Sequence, residues 1–339
     1  MMLKLTNCPT NSNLPTLMKS ICCLAGAVLA LDTSVALGQT IRFPAKPVRI
    51  IVGAAPGGAN DTVARVVAQR LTESWGQPVV VDNRPGASQM IAAEAVAKAA
   101  PDGYTLMLAT QTALAVVPVL YRVPIDPIKD FAAVTLIGNA PLMLVVHPSL
   151  PAKSVKQLIA LARAKPGDLN FGSGGIGSTP HMAGELFAAM AGIKSVNVAY
   201  KGEAPALIET IGGHLAMMFS NVPAAMPHVQ SGKLRALAVT SVERLTVAPL
   251  IATVAESGLP GYEAQTWFGL VVTAATPREI VMQLNAEVLR VLARPDVRER
   301  LTAQGLTIVG NTPEQFAAHI KSEYAKWAKV IKESGAKVE

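Results

Sequence analysis

The chain has 339 residues, half of them hydrophobic, with 30 Lys and Arg against 23 Asp and Glu for a net charge of +7. Aromatic residues make up only 4%, and no basic cluster is interleaved with them, which excludes a base-stacking nucleic-acid surface. Cys8, Cys22 and Cys23 are the only cysteines, so a disulfide framework is excluded beyond the extreme N-terminus.

Lys4 and Lys19 precede an apolar run at 21–31 ("ICCLAGAVLAL"), and small residues follow up to Gly38. Basic, apolar and small residues in that order mark a secretory signal, with Met18 as a second possible start and a buried N-terminal helix as the alternative. Asp32 interrupts the run short of the roughly 20 apolar residues of a membrane span. Cleavage near Gly38 removes residues 1–38 and every cysteine, leaving 301 residues with 28 basic and 22 acidic side chains, a charge of +6. That length suits about two domains.

Beyond the leader, short apolar runs alternate with helical patterns. Residues 48–54 predict a buried strand, and 61–76 a helix with Val63, Val66, Val67 and Leu71 inward. A strand at 78–83, a helix at 90–99 and a strand at 103–110 follow. This alternation is the signature of a mostly parallel sheet covered by helices. The pattern restarts with a strand at 141–149 and a helix at 154–164 that Pro166-Gly167 ends. Strand "LNFGS", a helix at 179–191, strand 196–201, helix "APALIETIGG", strand "LAMMFSN", a short helix over "AAMPHVQSG" and strand "LRALAVTS" complete a second unit. The apolar run 267–275 leads only to helices, at 277–293, 295–304 and 313–333, so the chain crosses back to cover its first unit. The expected lobes are 39–141 with 265–339, and 142–264, with hinge crossings near 141–149 and 262–270.

Two segments, "IIVGAAPGGAND" and "LNFGSGGIGSTPH", share one layout of strand, glycine-rich turn and helix start. Such turns aim backbone N–H groups and the positive end of a helix dipole at an anion. Ordinary strand-to-helix punctuation accounts for either loop alone, and the repetition favours anion binding. Gly172, Gly174 and Gly177 form a formal G-x-G-x-x-G, but the next strand ends in Tyr200-Lys201, where a dinucleotide site needs an acid. No lysine precedes Ser178-Thr179 as a P-loop requires, and Ser173 lacks the G-x-S-x-G nucleophile elbow. His147, His181, His214, His228 and His319 have no metal-ligand spacing, and His181 reads as a packing residue in the first turn of its helix. No catalytic residue, metal or cofactor is expected.

The segments "FPAKPVRIIV", "PGGANDTVAR", "GQPVVVDNRPGA", "PDGYTL", "YRVPIDPIKDFAAV", "PSLPAKSVKQLIALA", "GDLNFGSGGIGS", "HMAGELF", "YKGEAPAL", "PHVQSGKLRALAVTS", "AESGLPGYE", "PDVRERL" and "AKWAKVIKESG" occur in this order. Through them the mature chain resembles, almost end to end, the Bug family of periplasmic substrate-binding components of tripartite tricarboxylate transporters. The resemblance implies an α/β periplasmic binding protein of the two-lobed, Venus-flytrap type II class, each lobe a mixed, mostly parallel sheet flanked by helices. It implies a monomeric, non-enzymatic receptor that captures a small organic carboxylate in the periplasm and delivers it to integral membrane transporter subunits. A ligand-sensing partner of a membrane sensor kinase and an exported hydrolase or transferase remain the alternatives.

The resemblance further implies that the two glycine loops face each other across a cleft and clamp a ligand carboxylate. Carried over residue by residue, the first loop is Pro56-Gly57-Gly58 with Asn60 and Asp61, and the second Gly172-Ser173-Gly174 with Gly177, Ser178 and Thr179. Residues 83–87 start another helix at the cleft wall, Tyr200-Lys201-Gly202 with Ala204-Pro205 match the family's Y-K-G-x-A-P, and Trp267 matches its cleft tryptophan. Helix capping by Asp61, a surface ion pair for Lys201 and core packing for Trp267 stay open as alternatives. Four departures from the family pattern stand out: Ala54 for Phe, Ser88-Gln89 for Gly-Gly, Ala216 for Asp and Ala252 for Pro. The first three are expected near the cleft, where they favour a larger carboxylate with a neutral hydrogen-bonding tail over a small acidic amino acid.

Overall fold

The computed structural model describes residues 43–121, 123–200 and 202–334. The expected signal segment, its cleavage point and Lys201 lie outside these residues. β1 (Val48–Val52) is buried except at Arg49. It leads to α1 (Ala59–Trp75), whose Val63, Val66, Val67 and Leu71 are buried, the one-sided spacing of a helix lying on a sheet. Gly76 ends α1 in the left-handed conformation, its N–H donated to the Thr72 carbonyl, the usual glycine stop. β2 (Val79–Asn83), α2 (Met90–Ala97) and β3 (Thr105–Thr110) complete the first run. A wide turn, Thr112–Val116, and α3 (Val117–Leu120) follow, where an apolar run without a period leaves helix and strand undecided in the sequence.

β4 (Phe131–Val146) is longer than the strand expected from 141, because its first part also pairs. That part is buried on both faces apart from Ala132 and Asn139, so it carries no alternation to read. The second run is α4 (Val155–Ala164), β5 (Leu169–Ser173), α5 (Thr179–Ala191), β6 (Ser195–Ala199), α6 (Glu203–Ile211), β7 (Met217–Asn221), α7 (Val222–Gln230) and β8 (Arg235–Val239). β9 (Gln265–Thr273), α8 (Arg278–Ala293), α9 (Pro295–Ala303), β10 (Thr307–Ile308) and α10 (Pro313–Ser334) close the chain.

The strand order is β2-β1-β3-β9-β4-β7-β5-β6, with β8 and β10 also on β4. The sheet is mixed in an ordered way. β1 runs parallel to β2 and β3, and β5 parallel to β6 and β7, while every antiparallel pairing among the described residues involves β4 or β9. β4 changes partners along its length: Phe131 to Pro141 lie beside β9, and Leu142 to Val146 beside β7. Buried Thr240 clamps the changeover, since Leu142 N–H donates to its Oγ1 at 2.7 Å and its own N–H donates back to the Leu142 carbonyl at 2.9 Å. α10 packs on the 112–116 turn, on β4 and on α5, so the last helix touches elements of both runs.

Candidate functional site

A cavity of about 570 Å³ opens beyond the C-terminal ends of β3, β5 and β7, where Thr110, Gly174 and Asn221 line it. That is the expected crevice of an open α/β sheet, because crossovers leave strand ends and helix starts around one space. β9 runs antiparallel to β3, with Phe268 opposite Thr110, so its N-terminal end contributes Thr266 and Phe268 instead. Helix starts supply most of the remaining wall: Ala59 and Asn60 of α1, Ser88 and Gln89 before α2, Thr112 of the wide turn, Ser178 and Thr179 at α5, and Glu203 at α6. Each start leaves N–H groups without intrahelical partners and presents a positive dipole end. Glu203 is the only charged side chain among the described lining residues.

Both glycine loops are held from behind. Gly57, at φ +89°, donates its N–H to Asp61 Oδ2 at 2.9 Å, and Arg65 Nε donates to the same oxygen at 2.9 Å. Arg65 also reaches Asn83 Oδ1 at 3.1 Å, while Asn83 Nδ2 donates to the Ala54 carbonyl at 3.0 Å. The Arg65 guanidinium holds the Asp61 carboxyl down at about 2, with the Gly57 N–H assisting and burial opposing. In the second loop Gly177, at φ +79°, donates its N–H to His181 Nδ1 at 3.1 Å. His181 is buried, stacked on Phe171, with Nε2 3.6 Å from Glu185 Oε1, and so it packs in the first turn of α5 as its sequence position suggests. Thr179 Oγ1 donates to Gln111 Oε1 and accepts from Thr266 Oγ1, both at 2.9 Å. This chain of hydrogen bonds joins the segments after β3 and β5 to β9.

The third wall is strained. Ala87, Ser88 and Gln89 have φ of 44°, 49° and 77°, a left-handed run that costs L-residues roughly 1–2 kcal/mol each. The Gly-Gly expected at 88–89 would adopt it freely. Gln89 repays part of this, as its Oε1 accepts from Thr110 Oγ1 at 3.0 Å. Gly53 makes the approach possible, since a Cβ there would stand 2.5 Å from Gln89 Cβ.

Of the residues singled out in the sequence, Asn60, Ser88, Gln89, Gly174, Ser178 and Thr179 come together on the cavity wall. Pro56, Gly57 and Gly58 are exposed in the loop before α1, and Ala54 packs against the core beneath it. Asp61 is buried behind the first loop, with Gly172, Ser173 and Gly177 buried in and after β5. Tyr200 packs on the cluster around Met143 and Met218. Trp267 does not reach the cavity: alternation along β9 sends Thr266 and Phe268 there, while the buried indole meets Phe316 and His319 edge-on. Ala216 is a correction too, because it precedes β7 and its N–H donates to Asn170 Oδ1 beside the start of β5. Five residues at ~3.3 Å each put it about 16 Å from the cavity end of the strand. The sequence reading missed Thr110, Thr112, Tyr121, Glu203, Asn221, Thr266 and Phe268. For Asn221 the available signal was its place at the end of the expected strand "LAMMFSN".

The profile of the tripartite tricarboxylate transporter family receptor matches residues 63–336. The chain belongs to this family. It is 40% identical over 298 residues to protein BugT of Bordetella pertussis, covering 87% of this chain and 91% of BugT. A Rhodopseudomonas palustris protein solved with adipate superposes with a TM-score of 0.77 at 38% identity, covering 87% of this chain and all of that one. MatC from Rhodopseudomonas palustris with bound malate gives 0.73 at 32% identity, covering 85% of this chain and all of MatC. The family comprises periplasmic substrate-binding receptors and is not an enzyme family, and its α/β binding-protein fold is the one seen here.

Proposed function

We propose that the protein captures one small organic carboxylate in this cavity and delivers it to the membrane subunits of a tripartite tricarboxylate-type transporter. The observation that carries the reading is the convergence of helix starts and hydroxyl-bearing side chains on one cavity. An anion bound there takes its donors from backbone N–H groups and hydroxyls. Micromolar affinity needs about 8 kcal/mol, and each helix start contributes up to about 2 kcal/mol in a partly buried site. Burial of the ligand body supplies the remainder. Two solved relatives carry the dicarboxylates adipate and malate, which supports the class and leaves the individual ligand open. The lobes we assign, 39–141 with 265–339 and 142–264, close about the point where β4 exchanges β9 for β7 and β8. Export follows from the leader, with the mature chain starting at or near Gln39.

Calorimetry of the mature protein against a carboxylate panel, with the bound ligand then recovered and examined by NMR, tests the reading. One or a few carboxylates are expected to bind and return unchanged. Absence of any carboxylate binding, or steady product formation, would overturn it. N-terminal sequencing of protein from the native compartment tests export, and a chain that retains Cys22 contradicts it.

A further inference from the structure

We infer that Glu203 makes this cavity select carboxylates whose far end is a hydrogen-bond donor, an ammonium or a hydroxyl, over those ending in a second carboxylate. The inference rests on the carboxylate-receptor reading and narrows its ligand class. Glu203 opens α6, yet its carboxylate belongs to the start of another helix. Oε1 accepts from the Asn221 N–H and the Ser220 hydroxyl, each at 2.7 Å, and Oε2 accepts from Asn221 Nδ2. Asn221 is the N-cap of α7. An anion at such a position is the stable occupant of a helix N-terminus, and here the protein supplies that anion itself.

Two consequences follow for a ligand. A dicarboxylate needs two anion seats, and the seat at α7 is taken by a group that three donors prevent from swinging aside. Its second carboxylate then meets the one charge among the described lining residues, and like charges brought together in a recognition site cost several kcal/mol. A carboxylate offers about four lone-pair sites, three of which are used here, so acceptor capacity remains for a ligand donor.

The test uses ligands of one chain length differing only at the far end: hexanoate, ω-hydroxyhexanoate, ω-aminohexanoate and adipate, with the same series repeated over other lengths. Calorimetry on the mature wild type should rank the donor-ended members above the matched dicarboxylate by about tenfold or more. Glu203→Gln keeps an amide oxygen for Ser220 and for the Asn221 N–H, and should reduce that ratio at least about tenfold. Equal or tighter binding of the dicarboxylate by wild type overturns the inference without needing any variant. A wild-type preference that survives in Glu203→Gln overturns the assignment to this residue. If no carboxylate of any length binds, the receptor reading itself fails, and the inference falls with it.

Discussion

Gly57 and Gly177 stand at equivalent points of the two cavity loops. Each has a positive φ, and each donates its N–H to the side chain four residues on, which is the third residue of the following helix. In the first loop that acceptor is the carboxylate of Asp61, and in the second it is the imidazole of His181. The backbone device is the same, but the charge left at the helix start is not. α1 carries an acid in its first turn, partly offset by Arg65, and α5 carries none. An acid there already interacts with the dipole that a ligand would use, so the α5 start keeps more of its positive potential. Loop shape is therefore set by the glycine and its acceptor, while anion attraction is set by the acceptor's charge.

The strongest way to break this comparison is Asp61→Ala. It leaves the Gly57 N–H and Arg65 Nε without their acceptor, and denaturant unfolding should show a loss of about 1.5–3 kcal/mol. The carboxyl is held at about 2 in the folded protein, below its unfolded value, so the unfolded chain protonates first. Its stabilisation is complete above about pH 4 and is lost as pH falls toward 2. Unfolding free energies for Asp61→Asn should lack this step over the same window; a slope equal to wild type would remove Asp61 from its role.

Next in size is the contrast between the glycines. A Cβ on Gly57 meets nothing within 4 Å, whereas one on Gly177 meets Leu120 Cδ1 at 3.1 Å. Gly57→Ala should cost roughly 1–2 kcal/mol from backbone strain alone, and Gly177→Ala measurably more in the same melts. Equal costs would mean that Leu120 yields freely. A smaller effect sharpens the electrostatic half of the comparison: Asp61→Asn should tighten carboxylate binding by about 0.3–1 kcal/mol in calorimetry. Unchanged or weaker binding would show that the α1 start does not face the bound anion.

Gln89→Gly should change least. It relieves left-handed strain of about 1–2 kcal/mol and loses one hydrogen bond of about 1 kcal/mol, so melting should move by no more than a degree or so per few tenths of a kcal/mol. A large loss of stability would mean that Gln89 holds its wall by more than Thr110.

The regular elements of the chain were legible because their hydrophobic periods were clean; the helix expected at 179–191 is Thr179–Ala191. The first part of β4 and the 112–120 segment were not, since burial on all sides erases the period. Local pattern revealed the glycine turns, while the cavity-lining Asn60 and Thr179 beside them came from the family resemblance. Neither revealed Thr110, Thr266 and Phe268, because their meeting depends on β9 inserting beside β3. Trp267 turned on parity: it faces Asn139 in the β4–β9 register, and a slip of one residue would exchange its face with that of its neighbours. Glu203 stands in no pattern that marks it as a site residue and finds its partner 18 residues away.

The central place of β4 also dictates an order of assembly. Its Leu142 bonds Thr240, 98 residues later, and its Thr135 bonds Asn311, 176 residues later. β3 likewise waits for β9, since Thr110 pairs with Phe268. A chain emerging N-terminus first can form the local β1–β2–β3 ladder early, but the middle of the sheet stays open until the last quarter of the sequence arrives. Non-local pairing of this kind slows folding, so β1, β2 and β3 wait as an open edge until β9 is made and closes the sheet between β3 and β4.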